Sequence, residues 1–198
     1  MSDSPRTSTL TRSTNETEIV AKINLDGSGA SQISTGLGFF DHMLDALARH
    51  SGMDIELSCN GDLRVDDHHT IEDCALVLGK LIDDALGDRV GITRFASAYA
   101  PLDESLARVV VDLSGRPSAI VELGFTREMI GSVATENITH FFESLAVGMR
   151  GTLHVDLIRG RNDHHKAEAG FKALALAMRD AVRITRGDSI PSTKGTLS

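Results

Sequence analysis

The sequence predicts an α+β protein made of two tandemly duplicated half-domains. The first observation is that residues 67–86 and 163–182 align without a gap at an offset of 96. The second is a pair of shorter apolar helices upstream, and the third is a strand-like run after each of them, at residues 53–59 and 152–158. Halves of roughly 90 residues are small for independent cores, so we expect them to pack as one domain.

The composition is typical of a globular protein and argues against nucleic-acid-binding, membrane-spanning and secreted classes. The 198 residues are 41% hydrophobic and 24% charged, which is typical of globular chains, and the formal charge of −8 argues against nucleic-acid binding. No apolar run is long enough for a membrane span, and the polar N-terminal stretch lacks the apolar centre of a secretory signal. Cys59 and Cys74 form no CxxC motif or disulfide framework, so we expect a reducing cytoplasm.

Each half begins with a segment that has the pattern of a β-hairpin. Residues 17–35 would turn at Asp-Gly-Ser-Gly, and residues 106–125 would turn at Ser-Gly-Arg-Pro. The predicted order in each half is strand, strand, short helix, strand, long helix. We divide the chain into a first half-repeat over 1–92, a second over 93–186 and a C-terminal tail over 187–198.

The short helices each carry a histidine that stands off the apolar face. His42 matches His140, and the two helices end near Gly52 and Gly151. On a helical wheel His42 lies about 160° from the centre of its apolar face, and His140 is placed in the same way. A histidine that only filled the core would point into that face, so both are candidate ligands.

Each long helix opens with the pattern DHHxxE. Apolar residues recur along both helices with the spacing of one buried stripe. Adjacent helical residues diverge by about 100°, so a histidine pair is badly placed to chelate one ion and well placed to serve two. One such pair arises easily by chance, but two in the same pattern on duplicated helices indicate metal ligation. The repeated candidates are His42, His68, His69, Glu72, His140, His164, His165 and Glu168.

Eight ligands divide evenly into two sites of three histidines and one glutamate. Four such ligands suit a tetrahedral structural zinc or an octahedral metal with two open positions, and Mn, Fe and Zn all fit the donor types. His50 and His154 have no counterpart in the other half, and we assign them no role.

The chain resembles the imidazoleglycerol-phosphate dehydratase family of histidine biosynthesis in five motifs: GFFDHMLDALARHSG, DDHHTIEDCALVLG, ITHFFESL, RNDHHKAEAGFKALA and PSTKG. The resemblance extends from about Arg12 to Ser198. It implies that each half is a four-stranded sheet with two helices. It also implies a homo-oligomeric shell of 24 subunits, with manganese sites between subunits and two Mn²⁺ per active site.

The resemblance implies a hydro-lyase that converts D-erythro-imidazole-glycerol phosphate to imidazole-acetol phosphate. The hydrogen that is removed is not next to a carbonyl, so the substrate imidazole must act as the electron sink. Two metals, one on each ring nitrogen, would favour an imidazolate that expels the hydroxyl through a diazafulvene-like intermediate. The catalytic set is then Glu16 as the carboxylate that moves protons, with the histidine pairs and glutamates of the long helices. Glu104, the repeat counterpart of Glu16, receives no role.

An acidic protein needs specific cations to bind a phosphate group. The resemblance places substrate contacts at Glu16 and phosphate contacts at Arg94, Arg116, Lys172, Ser192 and Lys194. Arginine offers planar bidentate contacts and lysine a point charge. A tail that orders over the substrate would exclude water from the site.

Two other functions fit parts of the pattern. A non-catalytic metal-binding or storage assembly would use the same ligands, but it would not need the phosphate-binding cations or the PSTKG tail. A two-metal phosphatase would share the metals and the phosphate, but such enzymes rely on sites dominated by oxygen ligands, and the candidates here are rich in imidazole.

Overall fold

The computed structural model describes residues 5–185, 187 and 189–197, and it contains the predicted mixture of α and β elements. Residues 1–4 of the predicted first half-repeat, residue 186 of the second, and residues 188 and 198 of the predicted tail lie outside the described residues. The elements are β1 (Thr7–Ser13), β2 (Thr17–Asn24), β3 (Ser31–Ser34), α1 (Gly38–Ser51), β4 (Asp54–Gly61), α2 (His68–Leu86), β5 (Phe95–Leu102), β6 (Ser105–Asp112), β7 (Ser118–Glu122), β8 (Met129–Ile130), β9 (Val133–Ala134), α3 (Thr135–Gly148), β10 (Thr152–Arg159) and α4 (Asp163–Ala181).

Each half contributes one four-stranded sheet, and the two sheets share one topology. The strand orders are β1-β2-β4-β3 and β5-β6-β10-β7. In both sheets the first two strands are antiparallel neighbours, and the third strand runs parallel to the fourth. The short strands β8 and β9 form a separate ribbon before α3. The predicted duplication is therefore confirmed, while the half-repeat limits at residues 92 and 186 stay predictions.

The two hairpins predicted over residues 17–35 and 106–125 are wrong. In the described part of the chain, β2 and β3 both pair with β4 and not with each other. The glycine-rich segment between them is a crossover loop. Asp54, the first residue of β4, fixes this loop, because its Oδ1 accepts hydrogen bonds from the backbone N–H groups of Ser28 (2.8 Å) and Ala30 (3.0 Å).

Each real hairpin joins a predicted strand, β2 or β6, to a preceding strand, β1 or β5, that the sequence analysis did not anticipate. β1 pairs with β2 and β5 pairs with β6, and the connecting turns consist of residues 14–16 and 103–104. Glu16 and Glu104 therefore lie in equivalent turns. Both turns come close to the start of the long helix of the same half, as the contacts of His69 and His165 show below.

The helices join the halves. Each sheet packs against the two helices of its own half, while α1 packs on α4 and α2 packs on α3. The α2–α3 contact requires glycine, because a Cβ atom at Gly79 would lie 2.6 Å from the backbone nitrogen of Met149. The stacked rings of Phe141 and Phe171, 4.9 Å apart, lie in the shared core. Each helix pair consequently brings a DHHxxE motif of one half beside the short-helix histidine of the other.

None of the helices in the described ranges has the length and apolar character needed to cross a lipid bilayer.

Candidate metal centres

The start of each long helix fixes the first histidine of the DHHxxE motif. The side chain of Asn162 accepts a hydrogen bond from the backbone N–H of His164 at 3.0 Å, and Asp66 accepts one from His68 at 2.9 Å. Both bonds satisfy backbone donors that a first helical turn leaves unpaired, although only Asn162 is the N-cap residue of its helix. They fix the first turn of each long helix, and with it the direction in which the histidine pair projects.

One cluster of metal-ligating groups lies between α1 and α4, and we call it the α1–α4 site. It contains His42, His164 and Glu168. The Glu168 carboxylate lies 3.5 Å from His42 Nε2 and 3.3 Å from His164 Nε2. Burial raises the pKa of Glu168, but the hydrogen bond from Lys172 (2.7 Å) and the nearby positive charge outweigh that effect and lower it. Glu168 is therefore held as an anion, which is the form that binds a cation.

A matching cluster lies between α2 and α3, and we call it the α2–α3 site. It contains His68, Glu72 and His140. His140 Nε2 lies 3.1 Å from Glu72 Oε1, and the rings of His68 and His140 stack with centroids 4.9 Å apart. In each cluster the candidate ligand atoms all lie within 4.8 Å of one another. The repeated short-helix histidines thus join the long-helix motif of the opposite half.

The second histidine of each pair lies outside both clusters. His69 faces Asp62, whose carboxylate oxygens are 3.1 and 3.2 Å from Nδ1. His165 faces Glu104, whose Oε2 is 2.7 Å from Nδ1. These hydrogen bonds, more than the adjacent negative charges, raise the pKa of both histidines against the opposing effect of burial. Neighbouring histidines thus project to different places, as the helical spacing predicts.

Glu16 lies near His69 but does not hydrogen-bond to it. Its Oε1 is 3.6 Å from His69 Nε2, and its side chain is half exposed. The turn between β1 and β2 carries it there, and the backbone N–H of Asp62 donates to the Glu16 carbonyl at 3.0 Å. The Glu16 carboxylate therefore lies beside His69 Nε2, the ring nitrogen that Asp62 does not contact.

A cavity of about 610 Å³ opens beside the α1–α4 site. His42, Glu168 and Lys172 line it, together with Arg49 and His50. Burial, and secondarily the charge of Lys172, lowers the pKa of His50. His50 has no repeat counterpart and was assigned no role, yet the fold places it on the wall of this cavity. Lys172 is the only one of the five predicted phosphate contacts that lines this cavity.

The remaining predicted phosphate contacts lie elsewhere in the described chain. Arg94 binds the Asp112 carboxylate through Nε (2.7 Å) and Nη2 (3.2 Å), and its Nη1 donates to the Pro191 carbonyl at 2.8 Å. Arg94 is thus a tether between β6 and the tail. Arg116 is exposed in the loop after β6, Ser192 is partly exposed, and Lys194 is exposed.

The donor set at each cluster fits a divalent cation. Two neutral imidazole nitrogens and one carboxylate oxygen are ligands for Mn, Fe or Zn, and no thiol takes part. Three ligands from one chain leave room for a further protein ligand or for substrate. The two sites differ in charge, because the α1–α4 site has Lys172 against its glutamate while the matching position of α2 is Leu76.

Several residues around the clusters were missed by the sequence analysis. Asp62 and Glu104 bind His69 and His165, and Asn137 Oδ1 lies 2.9 Å from His68 Nδ1. Glu104 carried a usable signal, since it is the repeat counterpart of Glu16. Asp62 and Asn137 carried none, because neither recurs as a ligand-like residue in the other half.

Comparison with known proteins gives one consistent family. A family model described as imidazoleglycerol-phosphate dehydratase matches residues 35–178. The chain is 56% identical to the imidazoleglycerol-phosphate dehydratase of Phaffia rhodozyma, over 97% of this chain and 96% of that protein. It is 55% identical to that of Phytophthora nicotianae over 98% of this chain, but it spans only 43% of that longer relative. The crystal structure of the Staphylococcus aureus enzyme matches with a TM-score of 0.82 at 37% identity, covering 90% of this chain and 99% of that one.

Proposed function

The chain belongs to the imidazoleglycerol-phosphate dehydratase family and is an enzyme, and we propose that it removes water from D-erythro-imidazole-glycerol phosphate to give imidazole-acetol phosphate. The observation that carries the proposal is the pair of matched ligand clusters, each built from one helix of either half. An imidazole ring has two nitrogens that could each face a metal, and a duplicated site would hold two such metals.

We propose Mn²⁺ as the resident ion at both sites. His42, His164 and Glu168 would hold one ion, and His68, Glu72 and His140 would hold the other. When bound, the ions would act as Lewis acids and as a template for the substrate ring. A non-catalytic storage role explains less, because storage gives no reason for Lys172 and a cavity beside the α1–α4 site.

The fourth protein ligand of each site is proposed to come from another copy of the chain. His69 and His165 have their Nδ1 atoms engaged by carboxylates, and both stand apart from the clusters of their own chain. Their Nε2 atoms are therefore free to complete sites in neighbouring subunits. This would couple metal binding to a large homo-oligomer, for which the family resemblance suggests 24 subunits.

Glu16 is proposed to move protons during the reaction. It stands 3.6 Å from His69 Nε2, so it would lie next to a substrate bound to the metal ion that this atom is proposed to hold. The phosphate group is proposed to bind Lys172 together with Arg94, Arg116, Ser192 and Lys194, with some of these contacts made across subunits. The tail would then close over the substrate and keep water from the reacting carbon.

The test combines metal content with turnover of the named substrate. We expect purified, Mn²⁺-loaded protein to hold two ions per chain and to form imidazole-acetol phosphate. Glu72→Gln and Glu168→Gln should each lose one ion and most of the activity, because each removes the only carboxylate of its cluster.

A matched control is Glu18→Gln, which removes an exposed carboxylate on β2 and should keep both ions and full turnover. Protein that binds two ions but leaves the substrate unchanged would favour the storage role. Full turnover by metal-free protein would contradict the proposal.

A further inference from the structure

Glu104 lies in the turn between β5 and β6, and both of its carboxylate oxygens are bound at the start of α4. Oε1 accepts hydrogen bonds from the backbone N–H groups of Arg161 (3.1 Å) and Asn162 (2.8 Å), and Oε2 lies 2.7 Å from His165 Nδ1. Oε1 also accepts from the Ser105 hydroxyl at 3.2 Å, so three donors already hold it and Oε2 is left to accept from the imidazole. The hydrogen of a neutral His165 is therefore on Nδ1, and the lone pair is on Nε2.

The first half reaches the same arrangement with a different carboxylate. Glu16, in the equivalent turn, does not reach His69 Nδ1, and Asp62 takes that position with both oxygens within 3.2 Å. The residue 96 positions after Asp62 is Ile158, so the second half has no copy of this acid. Of the two glutamates in the hairpin turns, only Glu104 is hydrogen-bonded to a histidine.

We propose that Glu104 and Asp62 are positioning residues that hold Nδ1–H of His165 and His69 and so make Nε2 the metal-binding atom of each. Asp62 thereby leaves Glu16, the counterpart of Glu104, free to face the reacting atoms. Outer carboxylates of this kind fix the orientation and tautomer of a histidine ligand. The inference rests on the proposed role of His69 and His165 as metal ligands.

The decisive variant is Glu104→Gln. The two backbone N–H groups would hold the amide oxygen, so the amide NH₂ would face His165 Nδ1. A donor at that position forces the hydrogen onto Nε2, which then cannot bind a metal. We expect one of the two Mn²⁺ sites per chain to weaken about 100-fold, and Glu104→Ala, which allows either tautomer, to weaken it only about tenfold.

Asp62→Asn should behave differently. Among the described residues no backbone N–H is bonded to the Asp62 carboxylate, so an amide at this position can turn its oxygen toward His69. We therefore expect Asp62→Asn to weaken one Mn²⁺ site less than Asp62→Ala does, which is the reverse of the order at Glu104. Mn²⁺ titrations followed by calorimetry and by the electron paramagnetic resonance signal of free Mn²⁺ would measure the affinity of all four variants. They would show at each position whether the amide or the alanine variant binds Mn²⁺ more weakly.

The control is Glu122→Gln on the same sheet as Glu104. Its side chain is exposed on β7, and its loss should leave both Mn²⁺ affinities as in the wild type. If Glu104 had only a structural role, Glu104→Gln, which is nearly isosteric, would weaken Mn²⁺ binding less than Glu104→Ala does. That order would overturn the inference while leaving the proposed function intact. Wild-type protein that fails to bind two Mn²⁺ would overturn both.

Discussion

Replacing Asp163 by asparagine should destabilise the start of α4. The side chains of Asp163 and Lys166 are 0% and 4% exposed, and Asp163 Oδ1 lies 2.6 Å from Lys166 Nζ. The other carboxylate oxygen accepts hydrogen bonds from the backbone N–H groups of Thr126 (2.8 Å) and Arg127 (2.7 Å). Asparagine can still accept those two bonds, but it leaves a buried lysine without its counter-charge.

The expected loss is large because the pair is buried. Removing one partner of a buried ion pair costs about 3–5 kcal/mol in the free energy of unfolding. Ionisation alone accounts for a smaller part. Burial raises the pKa of Asp163, but its contacts with Lys166, Arg127 and Thr126 outweigh burial and lower the pKa from 3.8 to about 2. The shift corresponds to roughly 2 kcal/mol of stability, which is present above about pH 4 and is lost as the pH falls through the folded value.

Urea unfolding measures this effect and is done at equal chain concentration, since the proposed assembly would make stability depend on concentration. Asp163→Asn should unfold at lower urea at pH 7, and the gap to the wild type should narrow below pH 4. The double variant Asp163→Asn/Lys166→Met removes both charges and should recover part of the loss. A single variant as stable as the wild type, or a double variant no better than the single one, would refute the reasoning.

The remaining predictions concern the site. His69→Ala and His165→Ala should each lose one of two metals with comparable loss of activity, and metal counting would contradict the two-site scheme if either variant kept both ions and near-normal turnover. Chelation should abolish activity and dissociate the proposed assembly. Acid should have the same effect, because the ligands must be deprotonated to bind metal. Light scattering that shows an intact assembly without metal would refute the predicted dissociation. Glu16→Gln should lower kcat about 100-fold or more with Mn²⁺ binding unchanged, and an unaltered kcat would exclude Glu16 as the proton-transfer group.

The helices could be predicted from sequence because each carries its own pattern. The buried stripes of the long helices place their limits within a residue or two of α2 and α4, and the short helices and the strands after them are found where expected. Strand partners could not be predicted in this way. Turn-like residues between β2 and β3 suggested a hairpin, but β4, which follows both in sequence, lies between them in the sheet. A local turn signal cannot show such an insertion.

The same distinction governs the site. Six of the eight predicted ligands meet in two clusters, and each was found because the duplication repeats it. That His42 would join Glu168, from the opposite half, depends on the packing of α1 on α4, which no local pattern encodes. Glu104 reaches His165 because the β5–β6 hairpin carries it to the start of α4, and the sequence analysis did not predict that hairpin. Asp62 reaches His69 from the loop between β4 and α2, and the fold of that loop has no sequence signal of its own.

Ending the chain after Ile190 should impair substrate binding while leaving the folded core in place. The truncation removes the Pro191 carbonyl that Arg94 binds at 2.8 Å, and it removes Ser192 and Lys194. If those two side chains close over the phosphate, each lost contact is worth about 1.5–3 kcal/mol, so kcat/KM should fall roughly tenfold to a hundredfold. Both metals and the assembly should be retained, because none of the cluster ligands lies in the tail. The matched full-length variant Ser192→Ala/Lys194→Ala keeps the Arg94 tether and should reproduce most of the loss. Wild-type kinetics in both proteins would refute the closing role, and loss of metal or of assembly in the truncated protein would mean that the tail is structural.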